Sequence, residues 1–223
     1  MGKLNLLALL AVALAAGSAH ACEPVRGYRI PTNIELVQDA DVIVLARVVS
    51  GPAPGAAVGV PWSGPGQVLL DPIEPLKGSP AGKALRLFGT TVERNGRPVK
   101  AAPTPLTEAH PSAYEGACVR VKYSPGTLVV AMFKRSPQGL RELSFPFARE
   151  TEDVAGPNAT WVRAVRYYVA ASQGGRTAQR RAFTRLKAKL AADGDSQDRE
   201  IAEDIGRYLS ITDRTKGHPL QMW

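Results

Sequence analysis

The chain has 223 residues, 44% of them hydrophobic and 6% aromatic, which allows one domain with an extension or two small domains around a real core. Its 28 Lys and Arg against 20 Asp and Glu give a formal net charge of +8, which favours anionic partners in general: membrane surfaces, polyanions or acidic proteins. It has no aromatic, glycine-bearing RNA-binding motif and no paired zinc ligands, which argues against specific nucleic-acid recognition.

The first 21 residues read as a signal peptide. Lys3 supplies a positive start, residues 6–16 an unbroken apolar run, Gly17–Ser18 a break, and Ala19-His20-Ala21 a small-x-small cleavage site. The run is too short for a stable membrane span, and nothing after it is long and apolar enough to cross a bilayer. The expected product is exported, periplasmic or extracellular, and begins at Cys22. Two roles are open to that residue. A lipid anchor normally wants Leu three positions earlier, where Ala19 stands. A disulfide needs a second cysteine, and the sequence has one other, Cys118. An oxidising compartment favours the pair, and closing so long a loop is worth about 4 kcal/mol on the chain-entropy account.

From Cys22 onward the elements follow in order. "IPTNIELVQDAD" predicts a short helix capped by Asn33 and carrying Leu36 and Val37. "DVIVLARVVS" is β-branched and then alternates, as a central strand does. Prolines and glycines make residues 51–66 a loop. "QVLLDPIEPLKG" returns as a strand broken or edged at Pro72 and Pro75, and "GKALRLFGTTVE" adds another with Leu85 and Leu87 on one face. Residues 94–116 form a second loop, with "RNGR" as a small hairpin tip. Three strands follow in "ACVRVKY", "TLVVAMFKR" and "LRELSFPF", separated by Pro-Gly and "SPQG" turns. Short strands without long intervening helices predict a mainly β fold, residues 22–150.

The pattern changes near Thr151, where a helical extension over 151–223 is expected. Asn158 is placed to cap the first helix, "NATWVRAVRYYVAAS", and also heads a formal glycosylation triplet. The next helix stripes Ala182, Phe183, Leu186 and Leu190, and carries Arg176, Arg180, Arg181, Arg185, Lys187 and Lys189. The last stripes Ile201, Ile205, Tyr208 and Leu209, and residues 193–204 are rich in acids. Opposite charges on consecutive helices predict a neutralising antiparallel hairpin, with solvated faces and weak ion pairs favoured over a dedicated anion-binding helix.

Cys22, "IELVQDADVIVLARVVS", the strand ending "PLKG" and "GACVRVKYSPGTLVVAMF" together resemble the netrin-like domain of tissue inhibitors of metalloproteinases and its compact bacterial versions. The likeness covers roughly residues 22–147. It implies a five-stranded OB-type barrel, with Cys22 bridged to Cys118, used as a scaffold for protein or polyanion binding. The inhibitors begin Cys-x-Cys and chelate the protease zinc through the first cysteine's amine and carbonyl. Here the start is Cys22-Glu23-Pro24, so the second covalent restraint is missing and inhibition does not carry over.

No serine-hydrolase elbow, metal helix, phosphate loop or dinucleotide fingerprint is present, so the expectation includes no catalytic residues, no cofactor and no metal. His110 has Glu108 and Glu115 nearby, but Pro111 and its loop composition suggest an exposed turn; His218 lies in a short tail. The acid pairs Glu150 with Glu152 and Asp71 with Glu74 read as solvent-facing. The leading functional expectation is an exported, non-enzymatic binding or structural module of unknown partner, with Trp62 and Tyr114 as contact residues. The alternatives are a surface-associated protein that binds anionic lipid or polymer through its basic helix, and a hydrolase centred on His110.

Overall fold

The structure is a computed structural model that describes residues 27–53, 68–80, 82, 84–94, 97–98, 102–115, 117–192 and 195–214. Residues 1–21, for which a signal peptide is expected, lie outside these residues, as do Cys22, Trp62 and His218.

Helix α1 (Asn33–Asp39) is capped by Thr32, not by Asn33, which is its first residue. The Thr32 hydroxyl accepts from the Glu35 N–H and the Glu35 carboxylate accepts from the Thr32 N–H, a reciprocal capping box. Arg29 clamps the same carboxylate through two bonds of 2.7 and 2.8 Å. Burial raises the Glu35 pKa, but Arg29 and Thr32 outweigh it and hold the carboxyl below its usual value. At the other end Lys77 donates to the carbonyls of Val37 and Gln38, and Lys134 to the carbonyl and the carboxylate of Asp39, so two strand lysines satisfy open carbonyls of the helix.

Strand β1 (Val42–Ser50) opens with five consecutive buried residues, because both of its faces are covered. It pairs antiparallel with β2 (Val68–Lys77) on one side and with β8 (Leu128–Ser136) on the other. The short strands between are β3 (Leu85–Leu87), β4 (Thr90–Thr91), β5 (Glu93–Arg94), β6 (Arg97–Pro98) and β7 (Lys122–Tyr123). Strands β9 (Gly139–Glu142) and β10 (Thr151–Val154) follow β8. The main sheet runs β10-β8-β1-β2-β3, five antiparallel strands that curl into a nearly closed, OB-like barrel. The free edge of β8 is shared: Leu128–Ala131 pair with β10, and Phe133–Ser136 with β9.

Strand β2 stays continuous through Pro72 and Pro75, with register shifts against β1. Strand β3 pairs only with Val68–Leu70, so the outer edge beyond them has no strand partner among the described residues and tolerates imino acids. Of "LRELSFPF" only the first part is strand, and in "ACVRVKY" only Lys122–Tyr123 is. The hairpin expected at "RNGR" is present as β5 paired with β6.

Because side chains alternate across a strand, β1 and β8 feed two cores. Val42, Val44, Ala46, Val129, Ala131 and Phe133 fill the barrel with Leu70, Leu85, Leu87 and Tyr123. Ile43, Leu45, Val130 and Met132 face outward under the helices. The helices are α2 (Thr160–Ala171), α3 (Arg176–Ala192) and α4 (Ser196–Arg214). Trp161, Val165 and Tyr168 of α2, Phe183 and Leu190 of α3, and Ile201 and Ile205 of α4 join that outer core, so the helical part packs on the barrel. The sheet extends past residue 150 through β10, and the helices begin at Thr160. Asn158 is exposed; Ala159 occupies the cap of α2 without a side-chain bond.

Candidate functional site

Strand β10 sits at the end of the sheet path, and its buried acids hold the long loop against the barrel. Glu150, Glu152 and Asp153 are all buried, contrary to the solvent-facing reading of Glu150 and Glu152. Glu152 accepts from the His110 N–H at 2.8 Å and the Thr104 hydroxyl at 2.9 Å. Asp153 accepts from the Ala102 N–H at 2.9 Å and from Arg120 at 2.6 Å. Burial pushes the Asp153 carboxyl up, but His110, Arg120 and the Ala102 N–H outweigh it and hold the group well below the usual carboxylate range. Arg149, 3.7 Å from Glu152, lies over the Trp161 ring and donates to Thr104 and to the carbonyls of Pro105 and Glu108. From the helical side, Glu200 accepts from the Leu106 N–H, and Asn33 joins the Leu106 carbonyl to Asp204. Loop backbone groups that a strand partner would otherwise satisfy are therefore taken up by buried side chains.

His110 is mostly enclosed, with 13% side-chain exposure, which corrects the exposed-turn reading. Its Nε2 lies 3.6 Å from Asp153 and its Nδ1 2.9 Å from the Ser112 hydroxyl. The order serine–histidine–aspartate invites comparison with a nucleophile relay. Yet the same Nδ1 accepts from the Ser112 N–H and caps the 3-10 turn Pro111–Tyr114, and Ser112 itself is buried. A cleft of about 630 Å³ borders Asp153, Trp161 and Arg207, and neither His110 nor Ser112 lines it. The local geometry is that of a helix cap tied to a buried acid. Among the described residues no three His, Cys, Asp or Glu side chains are grouped to hold a metal ion.

At the far end of the loop Tyr114 is 59% exposed and stacks on Phe147, with ring centres 5.4 Å apart. Phe147 and Cys118 both have left-handed backbone (φ 58° and 59°), and the Phe147 N–H donates to the Cys118 carbonyl at 2.6 Å. Non-glycine residues in this region store strain that surrounding bonds must hold. The N-terminal segment reaches the same place, since the Tyr28 hydroxyl donates to the Pro146 carbonyl at 2.8 Å.

Two further carboxyls interact nearby, those of half-buried Glu142 and buried Glu150. Glu142 accepts from the Phe88 N–H at 2.7 Å and lies 3.4 Å from the Tyr123 hydroxyl, and burial pushes it up to about 8. Glu150 is raised well above its ordinary value by burial, and its Oε2 has no hydrogen-bond partner among the described residues.

The basic residues of the middle helix stand apart from all this. Arg176, Arg180, Arg181, Arg185, Lys187 and Lys189 are exposed on α3. Helices α3 and α4 do pack as a pair, but three of the acids expected to neutralise α3 bind other groups. Asp195 and Asp198 bind Arg163; Asp204 binds Arg207, Tyr168 and Asn33. Sequence reasoning missed Arg120, Arg149 and Asp153, and it read Glu152 as solvent-facing. The available signal was a short run, "ETEDV", in which β-branched Thr151 and Val154 make an extended segment out of three acids. No family model, curated protein or solved structure matches this chain.

Proposed function

We propose that this chain is an exported, non-enzymatic binding module on a netrin-like barrel. A Cys22–Cys118 bridge holds the mature N-terminus beside the Tyr114–Phe147 face, which is the contact surface. The observation that carries the reading is the convergence of three separate segments there. Tyr28 is bonded to Pro146, the next residue Phe147 is bonded to Cys118, and Tyr114 stacks on Phe147. Cys118 is buried and is not a free thiol. The six-residue step from Tyr28 back to Cys22 spans at most about 20 Å, within reach of Cys118 from that anchor. The bonds between the loop and β10 favour a preformed surface, which lowers the ordering cost of association. The buried Ser112 and the capping bond to His110 favour binding over hydrolysis.

Mass spectrometry of the protein from its native compartment tests the premise. The mature chain is expected to start at Cys22 without a diacylglyceryl group, and non-reducing peptide mapping to recover Cys22 joined to Cys118. An intact leader, a lipid adduct or free thiols would overturn it. The oxidised protein is further expected to give no tight inhibition across a metalloproteinase panel, because Cys22-Glu23-Pro24 lacks the second restraint. Potent inhibition that disappears in Cys22→Ser would refute this, and ester hydrolysis that disappears in His110→Ala would restore the enzyme reading.

A further inference from the structure

Burial takes more negative than positive charge off the surface of the described residues. Among the described residues five acids (Glu150, Glu152, Asp153, Asp198 and Asp204) are buried against two arginines, Arg120 and Arg149. Six exposed cations stand on α3. The helix buries Phe183 and Leu190 and half-buries Gln179, Ala182 and Leu186, which fixes the face turned to the protein. At 100° per residue, Arg181, Arg185 and Lys189 form one row on the solvent side, and Arg176 and Arg180 lie on its opposite flank. Between the rows run Thr177, Thr184, Ala188 and Ala191, all exposed and all short. Lys187 extends over the neighbouring helix: a Cβ placed on Gly206 would lie 3.3 Å from its Nζ.

We propose that this face of α3 is an electrostatic docking surface for a planar anionic lipid headgroup layer. The short central strip lets the helix approach closely, while long side chains on both flanks bend toward one plane. A plane engages the two rows at once, whereas a single linear polyanion follows one row or the strip. The outward face has no large apolar side chain, so the helix adsorbs without inserting. No helix among the described residues is long and apolar enough to cross a membrane, which leaves peripheral adsorption as the form of contact this helical surface offers. Binding of this kind depends on charge alone and is screened by salt.

Co-sedimentation of the full chain with vesicles tests the proposal. Phosphatidylcholine vesicles are compared with vesicles that also contain phosphatidylglycerol, at low and high salt. Retention is expected only with phosphatidylglycerol and is expected to be lost at high salt. Each cation near an anionic surface is worth about fivefold in affinity, so the triple variant Arg181→Gln, Arg185→Gln, Lys189→Gln is expected to bind on the order of a hundredfold more weakly. A second triple, Arg47→Gln, Arg86→Gln, Arg141→Gln, removes the same charge from exposed barrel positions and is expected to stay within a few fold of the parent. Circular dichroism melting confirms that both triples fold. Equal loss from both triples, or retention on neutral vesicles, would overturn the assignment. So would α3-dependent binding of soluble polyphosphate without retention on anionic vesicles.

Discussion

Replacing Glu152 with alanine removes the carboxylate that joins β10 to the loop. Its Oε1 receives the His110 N–H at 2.8 Å, its Oε2 receives the Thr104 hydroxyl at 2.9 Å, and the Arg149 guanidinium stands 3.7 Å away. The residue is 1% exposed, so water does not readily replace these partners. A buried N–H left unsatisfied costs about 1–3 kcal/mol, and a buried ion pair broken from one side about 3–5 kcal/mol. The two penalties share the same desolvation, so the combined loss is about 4 kcal/mol rather than their sum. That is a large share of a total stability of about 5–15 kcal/mol, and corresponds to a fall in Tm of roughly 10 °C for a chain of this size. Denaturant unfolding gives the loss, and limited proteolysis between Ala102 and Glu115 reports release of the loop. Glu108→Ala, an exposed acid in the same loop, should stay within about 0.5 kcal/mol of the parent. Glu152→Ala combined with Arg149→Met should cost less than the two single changes added together, because the unpaired charge is then gone. A loss below about 1 kcal/mol from Glu152→Ala, with the loop still resistant to protease, would refute the claim that this carboxylate holds it.

Two further predictions concern the barrel. Glu142 has its carboxyl pushed up to about 8 by burial, from an ordinary value of 4.5. The unfolded chain therefore releases this proton before the folded chain does, and stability falls as pH rises from about 4.5 to 8 before levelling off, with about 3 kcal/mol lost by pH 7. Glu142→Gln should flatten that slope in denaturant titrations at stepped pH and gain stability over the parent near pH 8. Glu150 acts with the same sign, so part of the slope remains; an unchanged profile would count against the buried carboxyl. Gly89 has φ 143°, and a Cβ there would lie 2.4 Å from the Val121 carbonyl, where β4 crosses to β7. Gly89→Ala should cost several kcal/mol by chemical denaturation; a neutral result would mean that the crossing relaxes easily.

The sequence by itself determined the elements whose causes are local. Alternation placed Leu85 and Leu87 inward and Arg86 outward, and the 3.6-residue period placed Phe183, Leu190, Ile201 and Ile205 in the core. The β-rich order, the absence of long helices between strands, and the turns between them follow from side-chain shape and backbone preference, which act over a few residues. Neighbouring candidates for a cap were harder to separate. Thr32 displaced Asn33 because Glu35 completes a capping box with it, which frees Asn33 to reach Leu106 and Asp204 far along the chain. Charge was the least legible property, because a carboxylate's energy depends on what surrounds it in space. Glu150 and Glu152 look like surface acids in "ARETEDV", yet both are buried: Glu152 binds the loop, and Glu150 is pushed toward its neutral form. Acids that looked ready to neutralise α3 bind Arg163 and Arg207 instead. Only the tertiary structure decided these pairings, since Coulomb interactions and desolvation are set by distance and burial between residues the chain order keeps far apart.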